Sequence, residues 1–193
     1  MSERRVAIYG GSFDPPHIGH VLASTYVLTS QPVDEIWWIP VFNHAFDSKA
    51  GITPFEDRIA MCERAIHLLG PRAVVQTVER ELGGVNRSID TVRHLMRKYP
   101  NSSFRLVIGT DVLPERHLWK NFDELCELAP PIVLGRKSYP CPEGWEASPP
   151  LPNINSREIR SKLKRGQSTV GLLPNGVEHY IRKHSLYGVG KKS

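Results

Sequence analysis

Short apolar runs alternate along this chain with longer stretches whose apolar residues recur every three or four positions. Runs of the first kind read as buried strands and stretches of the second as helices. Their alternation predicts an α/β fold: a doubly wound, Rossmann-like parallel sheet joined by right-handed crossovers, with helices closing the C-terminal end. Residues 5–9 form the first expected strand, Ile18–Ser30 the first helix, and Glu35–Pro40 a buried strand closed by proline. After an irregular loop over 41–51, a helix is expected from Pro54, a residue suited to the first helical position, to about Leu69. Residues 73–78 read as a third strand, Ser88–Lys98 as a helix with Ile89, Val92, Leu95 and Met96 inward, and 104–108 as a fourth strand. A short helix over 121–128 and a strand at Pro131–Leu134 follow. A proline-rich linker over 138–150 then leads to a last short strand near 151–154 and two helices, 156–165 and 174–183. No repeat or internal boundary interrupts the pattern, so residues 1–193 are expected to form one domain.

The chemistry begins where the first strand ends. Gly10-Gly11-Ser12-Phe13-Asp14-Pro15-Pro16-His17-Ile18-Gly19-His20 joins a strand to a helix start. Two glycines let the main chain approach a ligand and tolerate positive φ. The helix start directs unpaired N–H groups and partial positive charge into the same space. His17 and His20 are three apart and share a face if the helix has begun. A polyphosphate suits all three elements. The blander reading, in which both histidines cap a helix or sit in a polar core, has to be set against it. A dinucleotide loop is excluded because Ser-Phe-Asp-Pro follows Gly11, without the third glycine such a loop needs. An i,i+3 histidine pair with no further ligands nearby is also a poor zinc site. In an open parallel sheet ligands bind beyond the carboxyl ends of the strands, and the clusters at 10–20, 43–49, 109–111 and 155–160 each follow a predicted strand.

The 10–20 segment resembles the G-x-F-D-P-x-H-x-G-H signature of the nucleotidyltransferase superfamily, whose members move a nucleotidyl group from a nucleoside triphosphate to an acceptor. The resemblance implies that His17 and His20 hold the triphosphate, with Gly10, Gly11, Ser12, Phe13 and Gly19 shaping the ATP site. Residues 153–160 resemble the superfamily's I-S-S-T-x-I-R motif, which implies phosphate contacts from Ser156 and a catalytic Arg160. Asn155 replaces the first serine and can still cap a helix. Arg157 replaces the threonine and either adds a cation to the phosphate site or points to solvent.

Other segments resemble nicotinate-nucleotide adenylyltransferases of the bacterial type. Gly109-Thr110-Asp111, with Trp119 eight positions after the aspartate, resembles their G-x-D…W block. It implies an ATP-side role for Gly109 and Asp111 and stacking of Trp119 on the acceptor's pyridine, although Trp119 could instead pack on Phe122. Residues 86–91 align with a segment usually read as S-Y-[ST]-x-x-T: Ser88 keeps the hydroxyl, and Arg87 stands where tyrosine is common. Arg87 either pairs with an acceptor carboxylate or changes the preference. His44 and Lys49 occupy the loop where the family often carries P-H-K against acceptor phosphate, and Arg136 matches a turn near the adenine or phosphates. The close from Leu172 to Gly188 resembles the family's L-L-P-x-x-V-x-x-Y-I-x-x-H-x-L-Y and reads as a packing helix without catalytic duty. The implied reaction joins ATP and nicotinate mononucleotide into nicotinate adenine dinucleotide, with Mg²⁺ held through the ATP phosphates and no protein metal site. Nicotinamide mononucleotide or another phosphomonoester is the alternative acceptor, and a nucleotide-binding regulatory protein without turnover is the alternative class.

Composition changes this picture little. The net charge of +5 is spread along the chain and gives no case for nucleic acid, and no apolar stretch is long enough to span a membrane. Three scattered cysteines and a polar N-terminal segment suit a cytoplasmic protein with free thiols. Oligomeric state, including a homo-oligomer, is left open.

Overall fold

The computed structural model describes residues 3–43, 51–84 and 86–190. Its elements run β1 (Arg4–Gly11), α1 (Ile18–Ser30), β2 (Glu35–Pro40), α2 (Phe55–Ile66), β3 (Ala73–Val75), α3 (Val78–Leu82), α4 (Ser88–Lys98), β4 (Ser102–Gly109), α5 (Phe122–Leu128), β5 (Pro131–Leu134), α6 (Ser156–Lys164) and α7 (Asn175–Lys183). The strands form one five-stranded sheet in the order β3-β2-β1-β4-β5, and every pairing is parallel. Successive strand residues face opposite layers, as the two-residue strand period requires. Ala7, Tyr9, Ile36, Trp38 and Val107 pack toward α1, α2, α6 and α7, whereas Val6, Ile8, Trp37, Ile39, Leu106 and Ile108 pack toward α4 and α5. Near-continuous apolar strands are the result expected of a sheet covered on both faces. Trp38 is fully buried, and its indole N–H donates to Ser24 Oγ of α1 at 2.8 Å, so no donor is lost with it.

The differences from the sequence reading are local. β1 continues through both glycines, which are extended, and the left-handed residue of the following loop is Phe13, with φ of 46°. Pro54 is the N-cap of α2 rather than its first residue, and the helix ends at Ile66. Leu69 lies in a 3-10 segment broken at Gly70 and Pro71. The third strand stops at Val75, and Val78 opens the five-residue α3, too short to display helical periodicity. Met96, expected inward, is exposed. Residues 151–154 form no strand: Leu151 makes a single bridge to Arg136, because the prolines at 149, 150 and 152 remove the donors a ladder needs. No described helix is long and apolar enough to cross a membrane.

Candidate active site

The site opens where β1 parts from β4. The two strands pair only as far as Ile8 and Leu106. Beyond that point β1 continues beside β2, with Gly10 opposite Ile39, and β4 beside β5, with Gly109 opposite Leu134. This reversal of strand order leaves a crevice at the carboxyl edge, the place where open α/β sheets take ligands. A Cβ added at Gly10 would meet nothing within 4 Å, so bare main chain faces this space, whereas one at Gly11 would press on the Phe13 ring at 3.3 Å. Phe13 turns its buried ring inward, stacked on Trp38 at 4.8 Å. Only its main chain is available to a nucleotide.

His17 caps α1, and His20 is the third residue of the helix. His20 Nδ1 accepts the His17 backbone N–H at 3.0 Å, which leaves the proton of a neutral His20 on Nε2. The two imidazoles stack at 3.7 Å. Burial, with Arg136 adding a like charge, pushes His17 down to about 4. Burial also pushes His20 well down, with His17 and Arg136 contributing. Both rings are therefore neutral at physiological pH, and His17 Nδ1 is buried without a hydrogen-bond partner. Gly19 has a steric reason to be glycine: a Cβ there would stand 2.9 Å from His17 Nδ1 and 3.3 Å from Ile154.

The loop between β1 and α1 is gripped by distant parts of the chain. Ser156 Oγ donates to the Pro15 carbonyl at 2.9 Å, and Arg160 donates to the Asp14 carbonyl at 2.6 Å. Both come from the N-terminal half of α6, whose cap is Asn155 accepting the Glu158 N–H at 2.9 Å. Helix α6 thus reaches the loop although no sixth strand leads into it. Arg157 is exposed and makes no contact with the site, in keeping with the solvent alternative. On the other side of the crevice Arg136 Nε lies 3.7 Å from Asp111 Oδ1. Gly109 makes room for this pair, since a Cβ there would come within 2.1 Å of that carboxylate oxygen.

A cavity of about 290 Å³ adjoins Gly10 and Gly11 and is lined by Arg87, Ser88, Glu79 and Trp119 among others. Trp119 is half-buried and meets Phe122 edge-on at 6.0 Å, so packing and cavity lining hold together. The structure therefore gathers Gly10, Gly11, His17, Gly19, His20, Gly109, Asp111, Arg136, Ser156 and Arg160 around the crevice and its loop, and Arg87, Ser88 and Trp119 around the adjoining cavity. His44 and Lys49 lie outside the described residues.

Sequence reasoning missed several participants. Glu79 is buried in α3, where its carboxylate accepts the Phe42 N–H at 2.9 Å and the Thr91 hydroxyl at 3.4 Å. Burial raises its pKa against those hydrogen bonds. Lys120 also lines the cavity. Arg58, fully buried in α2, donates to the Ser12 carbonyl at 3.0 Å and to the Thr53 carbonyl at 2.9 Å. A charged residue on the inward face of α2 is the available signal for Arg58; the expected third strand ends at Val78 and no element is expected over 79–87, which hides Glu79.

Residues 8–162 match the cytidylyltransferase-like family. A protein of Anaeromyxobacter dehalogenans (strain 2CP-C) named probable nicotinate-nucleotide adenylyltransferase is 39% identical, over 95% of this chain and 97% of its own. A Myxococcus xanthus (strain DK1622) protein of the same name is 38% identical, over 96% and 95%. Plasmodium falciparum nicotinic acid mononucleotide adenylyltransferase complexed with NaAD superposes with a TM-score of 0.83 at 21% identity, over 97% of this chain and 98% of its own, a likeness of fold. On this sequence agreement, the chain belongs to the nicotinate-nucleotide adenylyltransferases of the cytidylyltransferase-like family.

Proposed function

We propose that this protein transfers the adenylyl group of ATP to the 5′-phosphate of nicotinate mononucleotide, giving nicotinate adenine dinucleotide and pyrophosphate. The observation that carries the reading is the shared wall of two spaces. Gly10 and Gly11 line the Trp119 cavity and also lead into the histidine loop. A pyridine mononucleotide in the cavity would bring its phosphate toward a triphosphate held at the start of α1. Trp119 offers the flat apolar face that a pyridine stacks on. Arg87 at the N-cap of α4 has no side-chain partner among the described residues and lines the same cavity, which suits an acceptor carboxylate. Ser88 adds a hydroxyl beside it.

On the ATP side, His20 Nε2–H and the main chain of α1 supply donors for phosphate oxygens, and Arg160 supplies a cation. Asp111 and Arg136, side by side at the ends of β4 and β5, suit contacts to the adenosine and its phosphates. Approach of the triphosphate favours the imidazolium form of His17, whose buried Nδ1 has no partner, whereas His20 Nδ1 is held by the His17 N–H and its ring donates from Nε2. A phosphomonoester has its second pKa near 6, so the acceptor arrives already ionised and needs no general base. Positioning and charge stabilisation then account for in-line attack at the α-phosphorus. No group of three or more His, Cys, Asp or Glu side chains among the described residues is arranged to hold a metal. Mg²⁺ fits as an ion carried on the triphosphate's own oxygens, where it offsets phosphate charge. The free thiols of Cys62, Cys126 and Cys141 suit a reducing cytosol. The test is to incubate the protein with ATP, Mg²⁺ and a panel of phosphate acceptors and to weigh the products. Nicotinate adenine dinucleotide as the dominant product supports the reading, and ATP turnover without any dinucleotide overturns it.

A further inference from the structure

The C-terminal segment carries a sequence pattern that the proposed reaction does not use, yet its last tyrosine reaches the phosphate loop. Tyr187 donates its hydroxyl to Asp14 Oδ1 at 2.7 Å, across 173 positions of chain. Asp14 is only 5% exposed. Its other carboxylate oxygen lies 3.8 Å from the Arg160 guanidinium, which also holds the Asp14 carbonyl. Burial, reinforced by the Asp14 charge, raises the Tyr187 hydroxyl far above its ordinary range, so it remains a proton donor throughout the working pH range. Arg58, the other cation near Asp14, is committed to the Ser12 and Thr53 carbonyls.

Arg160 thus faces two anions in turn. It lies beside a buried carboxylate, and an arriving triphosphate competes for the same guanidinium. A buried carboxylate stripped of its partner is costly. We propose that Tyr187 is a positioning residue that keeps Asp14 satisfied while Arg160 turns to the triphosphate, so that the C-terminal segment sets how readily the site takes ATP. This deepens the functional reading and rests on its assignment of Arg160 to the phosphates.

Steady-state kinetics on four variants test it, each checked for folding by thermal melting. Arg160→Ala raises the KM for ATP, and an unchanged value there defeats the Arg160 assignment itself. Tyr187→Phe removes only the hydroxyl and raises the KM for ATP roughly tenfold, the size of one hydrogen bond to a charged group, while the acceptor's KM stays within about twofold. In the Asp14→Asn background the same Tyr187→Phe change has no further effect on ATP, because no carboxylate is left to satisfy. Asp14→Asn alone frees Arg160 and holds or lowers the KM for ATP. It also decides the matter should Tyr187→Phe not fold. With Arg160→Ala behaving as stated, three results would each overturn the proposal: an unchanged ATP KM in Tyr187→Phe, an equal rise for both substrates, or a raised ATP KM in Asp14→Asn.

Discussion

Gly19→Ala isolates the one steric demand that the histidine motif makes on its own helix. The new methyl would lie 2.9 Å from His17 Nδ1, 3.0 Å from Cε1 and 3.3 Å from Ile154 Cβ. Ordinary contact begins near 3.4 Å, so the His17 ring must move by about half an ångström. It has little room, being 4% exposed and stacked on His20 at 3.7 Å. Two stability effects oppose one another. Alanine inside a helix gains about 1 kcal/mol over glycine. Overpacking costs about 1–3 kcal/mol. The net change is therefore a loss of about 0–2 kcal/mol, too little to unfold an ordinary domain. Catalysis has no such compensation, because a displacement of this order in a positioned group lowers kcat by roughly 10²-fold. The assay pairs urea unfolding with pyrophosphate release at saturating ATP and acceptor. A folded Gly19→Ala protein with near-wild-type kcat would refute the argument that glycine is there to seat His17.

Trp119→Ala raises the acceptor's KM roughly tenfold, the worth of one aromatic stack, with the KM for ATP little changed; equal shifts in both constants would count against stacking on the pyridine. Arg87→Tyr lowers the preference for nicotinate over nicotinamide mononucleotide roughly tenfold, measured as the ratio of kcat/KM values, and an unchanged ratio removes Arg87 from carboxylate recognition. Stability depends on pH through His17, whose pKa falls from 6.5 to about 4 on folding, chiefly by burial. The unfolded chain binds the extra proton between those values. The contribution is thus complete above pH 6.5 and declines as pH falls, by about 3 kcal/mol on approaching pH 4, with His20 acting in the same direction. Urea unfolding at several pH values checks this, and a His17→Gln protein that loses stability just as steeply as wild type would disprove it.

Much of this molecule is legible in its residues. Ile18–Ser30, Glu35–Pro40, Ser88–Lys98 and Pro131–Leu134 stand where periodicity and caps put them, because strong local signals there agree with the tertiary demand. Periodicity fails for α3, which at five residues displays no full repeat. It fails too for the expected strand at 151–154, whose prolines cannot join a ladder. In the candidate site, the sequence motifs name His17, His20 and Arg160, and the structure brings Arg160 onto the loop that carries the two histidines. The roles of the glycines were only half readable: Gly10 clears space and Gly19 seats a ring, and neither uses the positive φ that a glycine pair suggests. Arg58, Glu79 and Tyr187 act through partners 46, 37 and 173 positions away, and only the folded chain reveals such pairings.

The most direct measurement follows the oxygens of the transferred bond. Nicotinate mononucleotide carrying ¹⁸O in its 5′-phosphate is turned over with unlabelled ATP and Mg²⁺, and the products are weighed. Attack by the acceptor phosphate at the α-phosphorus predicts nicotinate adenine dinucleotide that retains all of the label, beside unlabelled pyrophosphate. Label in the pyrophosphate, or ADP in place of pyrophosphate, would contradict the account.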